Sequence, residues 1–281
     1  MATENEFDRL NEYCYQIENT YDKYTLLLIE LVLIHKIILN EKAFSFYNYA
    51  LLAKKAKVIT RNMYSELYFH LKKSITNEWN LSNKKNDELV NKIKILKNNT
   101  KYYKRNEAPL HAFFERKRNG LNLSNRVWNL TTQHRKELEL CIDACLRDGK
   151  SAHSLSSEIK KYLNEPDKLF RKVKDQNNKT TLSKAAKEYS PGTGVYRSSK
   201  KNALRLTRTE INIAYKTADI ERWESMPFVV GYEIKRSNNP YPCKTCEALK
   251  GKYPKYFKFV GWHPQCLCSM TPILMTHQEM L

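Results

Sequence analysis

Residues 243–268 open with Cys243-Lys244-Thr245-Cys246 and, after sixteen residues, close with His263-Pro264-Gln265-Cys266-Leu267-Cys268. A tetrahedral zinc site asks a chain for this pattern. Each pair, Cys243/Cys246 and His263/Cys266, has a two-residue gap, so a tight turn can aim both side chains at one ion. Cys268 is a fifth candidate, and the spacing leaves open whether Cys266 or Cys268 takes the fourth position. Thiolates bind metal only when deprotonated, so an ion here would hold the segment folded at neutral pH. A redox Cys-x-x-Cys would leave His263 without a role. A set of buried free thiols is common for single cysteines, not for four within 26 residues. Five donors for four positions read as a closed, structural zinc site rather than a catalytic one with an open position.

Outward from this stretch, Phe228–Lys235 alternates with β-branched residues and predicts a strand, and Tyr256–Val260 is a second, shorter candidate. Upstream, Leu204, Ile211, Ala214, Tyr215, Ala218 and Trp223 fall near one face of a helix over 200–223. That helix carries Arg208-Thr209-Glu210. The triplet invites a catalytic reading, but residues two apart diverge on a helix, and no nucleophile or phosphate loop stands beside it. Anchoring the C-terminal module is the plainer role.

The remainder is helical in pattern. Leu26, Ile29, Leu33 and Ile37, then Phe44, Tyr47 and Leu51, recur at three- and four-residue steps, with a break near Asn40. Tyr64, Leu67, Tyr68 and Leu71 continue a second helix, and 84–96 predicts a third, short one. A connector at 98–105 leads to a helical region over 108–147, with Gly149 as its C-cap. Ser151 or Ser154 can cap a further helix that Pro166 follows. Cys14, Cys141 and Cys145 stand alone on helical faces and read as core. His35, His70, His111, His134, His153 and His277 have no partner at metal spacing. The expected fold is mainly α with a small α+β C-terminal zinc-knuckle module. It divides into an N-terminal helical region (1–100), a second helical part (101–166), a basic flexible insert (167–201) and a helix plus knuckle (202–281).

Lys and Arg number 49 against 30 Asp and Glu, a formal charge of +19. Residues 168–216 hold 13 Lys and Arg against Asp175, Glu188 and Glu210, a local balance of +10. Such clustering favours a polyanion, DNA in particular, over a uniformly Lys-rich surface, although a solvated loop without a partner has the same composition. The most apolar stretch, Tyr24–Leu39, is short and interrupted by Glu30, His35 and Lys36, so no membrane span is expected. The opening residues lack the features of a secretory signal, and the seven cysteines are therefore expected to stay reduced.

Taken in order, the segment Arg147–Leu163 (RDGKSAHSLSSEIKKYL), the Arg208-Thr209-Glu210 helix, a strand, Cys243-x-x-Cys246-x-x-Leu249-x-Gly251-Lys252 and His263-Pro-Gln-Cys266-Leu-Cys268 form a series. This series resembles the phage head morphogenesis family, the minor head proteins of the Mu F type, over roughly 119–273. The resemblance implies a non-enzymatic virion or assembly component, present in the phage head and in the host cytoplasm during assembly. Portal and capsid proteins would be its partners, with packaged DNA a further one. It also implies that the cysteines and His263 shape a small α+β module. Leu267 stands where family members often carry Arg, and the insert at 167–201 is long. A nucleic-acid-binding zinc protein or a phage-encoded effector is the alternative.

Overall fold

The structure is a computed structural model of the chain. It describes residues 3–35, 37, 43–93, 100–147, 157, 159, 172–174, 176–182, 195–237 and 241–280. The elements are α1 (Thr3–Ile34), α2 (Ala50–Lys92), α3 (Glu107–Glu115), α4 (Leu123–Arg147), β1 (Lys172–Lys174), β2 (Thr180–Leu182), α5 (Ser199–Glu224), β3 (Val229–Lys235), α6 (Lys244–Ala248), β4 (Gly251–Pro254), β5 (Ser269–Leu274) and α7 (His277–Met280). The protein is mainly helical with a small three-stranded antiparallel sheet near the C-terminus. No helix among the described residues is long and apolar enough to cross a membrane.

The chain forms two compact units. The first gathers 1–14, 71–123 and 205–281; the second gathers 15–70 and 124–204. The second unit buries Leu28, Ile29 and Val32 of α1 with Leu52 of α2 and Leu138 and Ile142 of α4. The turn before α2 is capped by α4 carboxylates. Phe44 N–H donates to Asp143 at 2.8 Å, and Phe46 N–H to Glu139 at 3.1 Å. At the start of α5, Glu137 accepts from both the backbone N–H (2.7 Å) and the hydroxyl (2.6 Å) of Ser199.

In the first unit, β3 lies between β4 and β5 and pairs with both antiparallel. Trp223, Met226, Phe228, Tyr232 and Ile234 form its core with Val90 and Tyr102. Gly231 is required where β3 passes β4, because a Cβ there would lie 2.6 Å from the Tyr253 carbonyl oxygen. Arg222 is fully buried. It donates to Lys104 O (2.7 Å), Tyr102 O (2.5 Å) and Asp87 (2.8 Å), which ties α5 to the connector after α2.

Several local expectations are corrected. The second and third helices are one, since α2 runs unbroken from Ala50 to Lys92. Its inward face there is polar. Glu78 takes Arg9 at 2.7 Å and Ser82 donates to Asp219 at 2.7 Å, so burial leaves no apolar period to read. The region 108–147 is two helices, α3 and α4, parted by a turn with positive φ at Asn119 and Gly120. Tyr256–Val260 is not a strand. The strand is β4, and the aromatic spacing after it serves packing: Phe259 is buried and the Tyr253 and Phe257 rings stack at 4.6 Å. Strand β5 went unpredicted because Pro272 interrupts it, which an edge position tolerates. The described part of 168–201 is not all loop: β1 pairs with β2, and Ser198, Ser199 and Lys200 are buried at the start of α5. Asn40, Gly149, Ser151, His153, Ser154 and Pro166 lie outside the described residues.

Candidate metal centre

The C-terminal module brings together two turns, the second of them held against α5. Cys243 caps α6, its Sγ accepting from Cys246 N–H at 3.4 Å, and this places the first cysteine pair on one tight turn. The second pair sits on a turn closed by Cys266 N–H to His263 O at 3.1 Å. Gln265 adopts φ 64° and Gly261 φ 125° to make that turn. A Cβ on Gly261 would meet the Cys266 Cβ at 3.2 Å, so the close approach needs glycine.

All five residues singled out by spacing come together. Nε2 of His263 lies 3.2 Å from Sγ of Cys243 and 3.2 Å from Sγ of Cys246. Cys246 Sγ is 3.9 Å from Cys266 Sγ. The donors form two triads that share Cys246, one with Cys243 and His263, the other with Cys266 and Cys268. Tetrahedral coordination at ordinary zinc bond lengths sets S···S edges near about 3.8 Å and S···N edges near about 3.6 Å. The Sγ···Sγ separation is of this size, and the two Sγ···Nε2 separations are a few tenths of an ångström shorter. The cluster could hold a metal ion.

The surroundings act on the five donors unequally. His263 Nδ1 donates to Pro264 O at 2.8 Å. That fixes the tautomer and leaves the Nε2 lone pair facing the two thiols, the usual support for a metal-binding imidazole. The same carbonyl raises the His263 pKa. The Cys246 N–H, donating to Cys243, lowers that thiol's pKa. The Cys268 thiol, then the Lys216 ammonium, pull Cys266 down to about 4, whereas burial pushes Cys246 up to about 12. Cys268 is raised by its hydrogen bond to Cys266.

Helix α5 clamps the second turn from below. Lys216 Nζ donates to Cys266 O at 3.0 Å and Asn212 to the same oxygen at 3.3 Å, while Gln265 N–H donates to Thr209 Oγ1 at 3.1 Å. Thr209 is the middle residue of the Arg208-Thr209-Glu210 triplet. Glu210, its side chain 1% exposed, is ion-paired with Arg116. Sequence reasoning missed Asn212, Lys216 and Arg116. Only the pitch of α5, which puts 209, 212 and 216 on one face, could have found the first two.

Two cations of the basic 168–216 stretch are committed internally: Lys216 is fully buried on Cys266 O, and Lys200 pairs with Asp22 at 3.0 Å. Cys14, Cys141 and Cys145 are buried and belong to neither triad. His134, also buried, bonds Thr25 at 3.1 Å and faces the Tyr21 ring edge-on. Comparison of the chain with protein-family models, with curated proteins and with solved structures gives no match.

Proposed function

We propose that this chain is a phage minor head protein, a non-enzymatic component of head assembly whose C-terminal module is held by one structural zinc ion. The observation that carries this reading is the clamp of α5 on the His263–Cys266 turn. It gives the Arg208-Thr209-Glu210 helix and the HPQC turn a common purpose, anchorage. The resemblance of their ordered series to minor head proteins then rests on a working structural unit rather than on scattered motifs. Soft thiolate and imidazole donors at tetrahedral separations select zinc among common cellular ions. Three thiolates and a neutral imidazole around Zn²⁺ leave one net negative charge, which the buried Lys216 offsets.

Mass spectrometry of purified phage particles tests the assignment: the chain should be present at low copy beside portal and capsid proteins. Its absence from particles, combined with metal-dependent nucleic-acid cleavage abolished by His263→Ala, would replace it with an effector. Portal or capsid subunits are the proposed partners. DNA contact is proposed for the exposed cations of 168–216, not for Lys200 or Lys216.

A further inference from the structure

We infer that the cleft between α3 and the 260–266 loop is a docking site for a protein segment carrying an apolar anchor side chain flanked by carboxylates. The cleft has a volume of about 930 Å³ and lies wholly within the first unit. That is the size of a site that swallows a small ligand or a few residues of peptide. Pro109, Ala112 and Phe113 of α3 form one wall, and Val260, Trp262 and Pro264 the other. Ile213 and Thr217 of α5 floor it. These walls are suited to an aliphatic or aromatic side chain.

The rim supplies the charge preference. Arg116 is already engaged: it donates to Phe113 O at 2.7 Å, pairs with Glu210 and lies 3.3 Å over the Phe113 ring. Lys117 and Arg118 line the same cleft and are exposed. Arg118 is held by a tight turn, its N–H donating to Leu121 O at 2.9 Å and its carbonyl accepting from Leu121 N–H at 3.1 Å, with Asn119 and Gly120 both at positive φ. The two cations therefore stand on a firm edge. Glu221 lines the cleft eleven residues further along α5, about 16 Å from Glu210. It repels a carboxylate at that end, so the acidic flank of the guest belongs at the Lys117–Arg118 end.

A nucleic-acid strand fits less well. Sequence-tolerant binding of single strands needs free aromatic faces for bases. The Phe113 face is covered by Arg116, and the Trp262 ring is packed against Phe259 at 4.7 Å and Phe257 at 6.0 Å. The inference rests on the cleft alone and holds whether or not the chain belongs to a phage head.

A displayed library of random peptides, panned on the metal-loaded wild-type chain and counter-selected on Ala112→Trp, tests it. Ala112 is exposed in the cleft wall, so the indole should fill the cleft without entering the core. Enriched peptides should pair Leu, Phe or Trp with neighbouring Asp or Glu. Their affinity, measured by fluorescence anisotropy, should fall at least about tenfold in Ala112→Trp and in the double variant Lys117→Glu, Arg118→Glu, and stay unchanged in Lys252→Glu. The double variant keeps the test decisive if the tryptophan disturbs folding. No enrichment, enrichment of basic peptides, equal binding by the double variant, or displacement by a single-stranded oligonucleotide would each overturn the inference.

Discussion

Lys216 sits fully buried with its ammonium 3.0 Å from the Cys266 carbonyl and 5.3 Å from the Phe259 ring centroid. Burial lowers its pKa, and the neighbouring thiolates and Glu6 oppose that shift. Replacing it with Met removes a donor and a cation beside the cluster while keeping the stem's volume. Metal affinity, read by competition with a chelator, should then fall by about 10–100-fold, the usual cost of losing a group that orients a ligand. Metal analysis should find roughly one zinc per chain in the wild type and none in the double variant Cys243→Ser, Cys246→Ser; unchanged metal content would remove the site. The five ligand candidates were legible because metal ligation leaves its mark in local spacing. Lys216, Asn212 and Arg116 were not, because a buried lysine and a surface lysine are the same letter until the tertiary partners are known.

Helix α2 shows how far a periodicity argument reaches. Where its inner face is apolar, as at Leu67 and Leu71, the helix can be read off the sequence; where it carries Ser82 and Asn86, it cannot. Those residues belong to one polar set: Asn86 donates to Asp219 at 2.7 Å and accepts from Trp223 Nε1 at 2.6 Å. Asn86→Ala takes the acceptor from the buried Trp223 indole N–H and one of two donors from Asp219, so it should cost about 1–3 kcal/mol of unfolding free energy. The exposed neighbour Lys84→Ala should change stability by no more than about 0.5 kcal/mol. Urea titration of both variants checks the contrast; equal losses would mean that the polar face is not holding α2. Strand β5 was hidden by the converse problem, a proline that an edge strand accepts and a pattern reader rejects.

On the scale of the whole molecule, the two units should answer differently to chelation. Stripping metal should speed hydrogen exchange in β3, β4 and β5 while leaving amides of α4 protected. Uniform loss of protection across α4 would contradict this. Acid acts on the second unit. Burial holds the His134 pKa down at about 3, below its ordinary value of 6.5. The unfolded chain therefore takes the proton first, and stability present above about pH 6.5 is lost as pH falls toward 3. Urea midpoints at successive pH values should show that decline, and His134→Gln should flatten it. That each unit is assembled from separated stretches could not be read by moving along the sequence, which records neighbours in the chain and not in space. This arrangement also orders events at the ribosome. Every residue of the second unit precedes Arg205, so it can close as soon as 124–204 has emerged. The first unit includes 1–14 yet needs 205–281 to finish. The carbonyls of Tyr102 and Lys104 must wait for more than a hundred further residues until Arg222 arrives, a long interval in which a nascent chain depends on staying soluble.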